Sequence, residues 1–202
     1  MTPQARLLDL LRIDLPIVQA PMAGVSTPEM AAAVSNAGGL GSIGVGATDA
    51  AGTRKMIAAF RERSRRSLNV NVFCHAPATA DAAREARWIE RLRPEFERVA
   101  AEPPAALREI YRTFLEDDDM LAALVELRPA VVSFHFGIPA RAKIEALRGA
   151  GIALVGSATS VAEAGVLVDA GVDAVVAQGY EAGGHRGVFD PDATDDCLGT
   201  AV

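Results

Sequence analysis

Aromatic side chains make up only 5% of this 202-residue sequence, which holds a single tryptophan. An all-β sandwich draws on more aromatic and threonine positions, so layered helices and parallel strands fit better. Cysteine is almost absent: Cys74 and Cys197 lie far apart and form neither a metal-type nor a redox-type pair. Free thiols in a reducing compartment are expected, and no metal site. No apolar run approaches the roughly 20 residues that a membrane-spanning helix needs. The opening residues also lack the basic-then-apolar order of a secretion signal, so a cytoplasmic protein with no membrane partner is expected. A basic stripe with aromatic platforms is missing too. The net charge is −6 with both signs interleaved, which argues against a nucleic-acid partner. The one dense basic cluster (Arg61, Arg63, Arg65 and Arg66) reads as a solvated helix C-terminus, where the helix dipole favours cations.

What the chain has in abundance is apolar surface. Half of its residues are hydrophobic, enough for a sizeable core and by default one domain over 1–202. Near-continuous apolar runs at 17–22, 40–45, 68–73, 131–136, 152–157 and 174–178 read as strands buried on both faces of a parallel sheet. Helical patterns separate them. Thr27-Pro28-Glu29 gives an N-cap and a first-turn proline, and Gly38-Gly39 a stop. Asp49 caps a helix with Met56 and Phe60 on its apolar face. Ser160 to Glu163 has the form of a capping box, with Gly171 as the stop, and the helix around 141–147 ends at Gly149 or Gly151.

This is a βα repeat with right-handed crossovers. The unit between Phe73 and Val131 is longer, with two or three helical segments split by Pro94, Pro103-Pro104 and the acidic run 116–119. A crossover helix plus a helical insertion at about 75–128 is expected, with too few apolar positions for a core of its own. Trp88, with Ile89 and Leu92, reads as a structural helix face. Such βα units build either an open doubly wound sheet or most of an eight-stranded barrel, and spacing does not separate the two.

Glycines follow the strands: Gly24, Gly44, Gly46, Gly137 and Gly183-Gly184. In a barrel those loops form the active-site face, and glycine lets backbone N–H groups approach an anionic or planar ligand. For any one glycine, ordinary turn chemistry is the simpler reading. Gly38-Gly39-Leu40-Gly41 precedes a strand, so it is no dinucleotide fingerprint. The most informative segment is 178–187, Gln-Gly-Tyr-Glu-Ala-Gly-Gly-His-Arg-Gly. It leaves a buried strand, turns on two glycines and presents His185 beside Arg186. A histidine on such a loop is a natural general base, set against the plainer reading of a surface histidine without a role. His135 alternates with Ser133 and faces either the barrel mouth or the core. His75 follows the strand at 68–73. His135 and Arg186 are the candidate substrate contacts.

The segment 178–187 resembles the signature of the nitronate monooxygenase (2-nitropropane dioxygenase) family, shared in looser form with flavin-dependent enoyl-acyl-carrier-protein reductases. Pro16-Ile17-Val18-Gln19-Ala20-Pro21-Met22-Ala23-Gly24-Val25, followed by Ala33-Val34-Ser35-Asn36-Ala37-Gly38-Gly39-Leu40-Gly41, is similar to that family's opening motif. Asn69-Val70-Asn71-Val72-Phe73 and Ser133-Phe134-His135-Phe136-Gly137 resemble its third- and fourth-strand motifs.

The resemblance implies an α/β fold of the (β/α)8 TIM-barrel type, with the first six βα units present and the last two beyond Val202. It implies FMN, with Ala20, Pro21 and Met22 beside the flavin ring. Asn71 and Gln178 would hydrogen-bond to the ring's polar edge, and Gly183 and Gly184 would approach through their backbone. His185 matches the family's catalytic histidine, which takes the proton from the carbon bearing the nitro group or steadies the anionic nitronate. The implied partners are a nitronate or nitroalkane and dioxygen. Nothing after His185 resembles the family's phosphate-binding turns, so a fragment of a longer protein is expected, poorly soluble by itself and unable to retain FMN. Two alternatives stay open: an NAD(P)H-dependent flavin reductase on the same barrel (quinone or enoyl-acyl-carrier-protein), and an inactive truncated product.

Overall fold

The structure, a computed structural model, describes residues 2–201. The expected helix signals act as physical stops and starts. Helix α1 (Pro3–Leu11) is capped by Thr2, and α2 (Pro28–Asn36) by Thr27, whose hydroxyl accepts from Met30 N at 3.2 Å. Strand β1 (Gly41–Gly44) follows, then α3 (Ala50–Arg63), where the Asp49 carboxylate accepts from Gly52 N at 2.8 Å. Next come β2 (Leu68–Phe73), α4 (Ala82–Arg98), a short 3-10 turn at Phe114–Glu116, and α5 (Asp118–Leu127). The chain continues through β3 (Val131–His135), α6 (Arg141–Gly149), β4 (Ala153–Ala158), α7 (Val161–Ala170) and β5 (Ala174–Ala177). Helix α7 ends at Gly171 with φ 84°, a left-handed cap that costs glycine little.

All neighbouring strands pair in parallel, in the order β1-β2-β3-β4-β5. A doubly wound sheet reverses its strand order at a switch point, and this sheet does not. Sequential order with crossovers of one hand places the helices on one face. The burial agrees. Ile43, Val70, Val72, Val132, Phe134 and Leu154 point to the helical layer and share one core with Ile57, Phe60, Leu124, Ile144 and Leu147. The opposite face carries Ser42, Asn69, Asn71 and Ser133, buried and polar, closed at one end where Leu11 of α1 and Ile13 cluster with Leu40, Val131 and Val155. The even positions of a strand thus serve one layer and the odd positions another.

One expectation needs correction. The run 17–22 is not a strand: Val18 makes a single parallel bridge to Leu40. Pro16 and Pro21 lack the N–H groups a ladder requires. Beyond the bridge, the Gln19 side-chain amide replaces a peptide group, donating to Ser42 O at 3.2 Å and accepting from Ser42 N at 3.3 Å. The long stretch between β2 and β3 holds both α4 and α5. Helix α5 buries Met120, Ala123 and Leu124 and packs on α3 and α6, so it is itself the crossover helix. The chain falls into two compact units, Met1–Ala76 with Tyr111–Val202, and Pro77–Ile110. Within the second, α4 runs through Pro94 without splitting. Ion pairs Glu90–Arg93 and Glu95–Arg98 bracket the missing amide. Trp88 is half-exposed and only Ile89 of that face is buried. Among the described residues, no helix is long and apolar enough to cross a membrane.

Candidate active site

The parallel register gathers polar groups at the C-terminal ends of the strands. Asn71 pairs with Ser133, and Phe73 with His135, on the polar face of β2 and β3. The buried Asn71 amide donates to Ser133 O at 3.2 Å and Oγ at 3.0 Å, and its Oδ1 accepts no hydrogen bond among the described residues. His135 lies on this side too, where its Nε2 reaches the His185 carbonyl. Beyond it Phe136 has φ 67°, a left-handed conformation that costs a bulky residue about 1–2 kcal/mol. Such strain persists where the surroundings over-determine it.

Those surroundings are rings. His75, His135 and His185 are the chain's three histidines, and all three pack around Phe136, with centroids 6.3, 4.3 and 6.1 Å away. The His185 ring stands at 90° to Phe136, the edge-to-face geometry that ring quadrupoles favour. Phe73 and Tyr111 complete the cluster, 5.5 Å apart. The His75 Nε2–H donates to Tyr111 O at 3.1 Å, since a carbonyl only accepts. Burial holds the His135 pKa below the ordinary histidine value; the His185 carbonyl opposes this and the His185 charge adds to it. His135 is therefore a neutral neighbour at neutral pH.

The loop bearing His185 is tied down on both sides. Gln178, just past β5, donates through Nε2 to His185 O at 3.0 Å and accepts at Oε1 from Gly187 N at 2.7 Å. His135 Nε2 reaches the same His185 carbonyl at 3.4 Å. Gly183 and Gly184 have φ 71° and 66°, and a Cβ on either would meet nothing within 4 Å. Their backbone is thus bare toward open space, the form a cradle for a planar ligand takes. The Arg186 guanidinium is engaged throughout: with Asp195 at 2.8 and 2.9 Å, Gln178 O at 2.5 Å and Thr159 O at 3.3 Å. The other expected residues sit at the same end of the sheet. The turn after Gln19 is pinned by Ser26, whose hydroxyl donates to Ala20 O at 3.0 Å and accepts from Met22 N at 2.9 Å. The backbone of Met22 and Ala23 lies against Gly44 at the end of β1. Ala20 and Met22 are exposed, Pro21 is half-buried, and no hydrogen bond or ring contact joins them to His185.

Sequence reasoning missed Phe136, Tyr111, Asp195 and Glu163. Phe136 had a faint signal, the glycine that follows it. Tyr111 and Asp195 had none, because their partners lie elsewhere in the chain. Glu163 carries only the signal of a helix cap in the sequence, yet its carboxylate also accepts from Phe189 N at 2.8 Å. The Ser160 hydroxyl does cap Glu163 N at 3.2 Å, but the acid reaches back to Thr159 N at 2.6 Å. A cavity of about 440 Å³ lies at the other end of the sheet, where Arg12, Arg61, Arg65, Arg66 and Arg128 meet the helix C-termini, remote from the histidines.

Residues 4–200 match the family model described as nitronate monooxygenase. The chain belongs to that family. A nitronate monooxygenase of Paraburkholderia phytofirmans is 60% identical over 98% of this chain and 54% of its own length. One from Pseudomonas aeruginosa is 53% identical over 96% and 56%. Among solved structures, nitroalkane oxidase from Streptomyces ansochromogenes superposes with a TM-score of 0.83 at 40% identity, covering 96% of this chain and 55% of that one. The chain thus spans about half the length of the curated nitronate monooxygenases it matches.

Proposed function

We propose that this chain carries the histidine-bearing half of an FMN-dependent nitronate monooxygenase, with His185 as the catalytic residue. One observation carries the reading: His185 follows two glycines of positive φ that open onto free space, packed against a strained Phe136. Relatives named nitronate monooxygenase support it. The sequential parallel sheet reads as an arc of a (β/α)8 barrel, six units when the Val18 bridge is counted as the first strand.

The residues present fit a flavin. Asn71 offers an amide oxygen that no described residue hydrogen-bonds, and Gly183 and Gly184 offer a bare backbone. Ala20, Pro21 and Met22 would lie beside the ring. Gln178 keeps one N–H and one lone pair for the ring's polar edge. FMN supplies the electron acceptance and dioxygen chemistry that no side chain provides. The chain's own part is proton and charge handling. The His185 imidazole takes the proton from the carbon bearing the nitro group, and as imidazolium it faces the nitronate oxygens. His135, neutral and held on the same carbonyl, adds no competing charge and lines the substrate side.

Oxygen consumption with an alkyl nitronate tests the activity on the full-length flavoprotein. Rapid bleaching of the flavin by NADPH without oxygen would instead favour a reductase. Asn71→Ala is expected to weaken FMN binding about tenfold, the scale of one lost hydrogen bond to a buried partner. Unchanged FMN affinity and absorption spectrum in both Asn71→Ala and Gln178→Ala would remove these two from the cofactor site.

A further inference from the structure

We propose that Arg186 and Asp195 form a latch that positions His185, so that Arg186 serves the reaction through the backbone and not by holding substrate. The proposal rests on His185 being the reactive imidazole. Arg186 is the residue beside that histidine, and its side chain folds back onto protein. Two guanidinium nitrogens grip the two Asp195 oxygens, a fork geometry that fixes orientation as well as distance. The remaining donors reach Gln178 O and Thr159 O, the first residues beyond β5 and β4. Gln178 in turn holds both peptide groups that flank Arg186, the His185 carbonyl and the Gly187 N–H. The segment 185–187 is therefore clamped from the sheet by one amide and from the strap at 189–197 by one ion pair.

A second tie makes the strap part of the scaffold. Glu163, in the first turn of α7, accepts from Phe189 N and from both Thr159 N and Thr159 Oγ1, the last at 2.7 Å. Thr159 is thus shared by the guanidinium and by the helix that carries Glu163. Loops gain precision when anchored to regular elements, and a reactive group must be held within a fraction of an ångström of its productive place. The pair is also robust to acid. The Arg186 guanidinium and the Cys197 N–H hold the Asp195 carboxylate down to about 2, with Cys197, Glu163 and Glu181 the other titratable groups near the guanidinium. A carboxylate depressed in the folded state stabilises above its ordinary range, and that contribution is lost only as pH falls toward 2.

The test uses the full-length flavoprotein and its Asp195→Asn, Arg186→Ala and Arg186→Lys variants. Hydrogen exchange at the Gly187 amide, which Gln178 Oε1 holds, reports the latch without reference to activity. Asp195→Asn, nearly isosteric, is expected to speed that exchange about tenfold and to lower kcat about tenfold or more with KM little changed. Arg186→Lys keeps the charge but not the fork and is expected not to restore kcat. The latch is overturned if Gly187 exchange and kcat stay within about twofold of the parent in Asp195→Asn, or if Arg186→Ala raises KM alone, the mark of a substrate contact. His185→Asn measured alongside judges the catalytic reading separately, because the exchange result stands whatever that variant does.

Discussion

Replacing His185 with asparagine is expected to leave FMN bound and to lower nitroalkane turnover by roughly 10²–10⁴-fold, the worth of a positioned base and of charge aimed at a developing anion. Asparagine keeps a polar side chain but cannot take a proton. The ties that place the loop engage the His185 carbonyl, not its ring, so they survive the substitution. The loss is therefore chemical and should not read as unfolding. Two substrates separate the two tasks of the imidazole. A neutral nitroalkane needs its α-proton removed, whereas a preformed nitronate does not. A fall with the nitroalkane alone assigns proton removal, and an equal fall with both assigns anion stabilisation. Turnover of both within about threefold of the parent would mean that His185 is not the catalytic group.

How much of this was legible in the sequence follows from the range of the forces involved. Helix caps are local, so Thr27, Asp49, Ser160 and Gly171 could be read and act as expected. Buried parallel strands announce themselves by apolar runs, and β2 spans the expected residues without shift. The failures are equally physical. The run at 17–22 is apolar enough for a strand, but its prolines break the ladder and Gln19 mends it by a side chain. Periodicity cannot register such a repair. Pro94 marks a break by propensity, yet α4 runs on through it. At the site, the resemblance pointed to His185 through its glycine-rich neighbours. The ion pair of Arg186 with Asp195 left no trace in the sequence, because the two residues stand nine apart in irregular chain without a periodic pattern. Barrel and doubly wound sheets share the same βα rhythm, and only the order of pairing separates them.

Gly41 shows how tightly the first helical layer is set against the sheet, and Gly41→Ala is expected to be among the most damaging single-methyl changes available. A Cβ at this position would lie 1.9 Å from Ala31 O and 2.6 Å from both Ala31 C and Ser35 Oγ. The first two are backbone atoms in the middle of α2, so no rotamer change relieves the clash. Either α2 moves off the sheet or β1 does. Both are costly, because Ala31 is fully buried and all four residues of β1 are buried. Ser35 would be displaced as well. Its hydroxyl accepts from Gly41 N at 3.0 Å and donates to Ser67 O at 2.8 Å, joining α2, β1 and the approach to β2 in one strut. Overpacking a rigid interior costs about 1–3 kcal/mol, and a broken buried hydrogen bond adds about 1–3 kcal/mol. The sum is a large share of the roughly 5–15 kcal/mol that holds a domain folded. Gly149→Ala is the control: it sits in the last turn of α6, where a Cβ would meet nothing within 4 Å, and alanine favours the helix by up to about 1 kcal/mol. Denaturant titration should show Gly41→Ala destabilised by about 3 kcal/mol or more and Gly149→Ala unchanged or slightly stabilised. If the two variants unfold at the same denaturant concentration, the α2–β1 contact is far more yielding than its geometry requires, and the turn at Ala20 and Met22 that it supports is not rigidly placed.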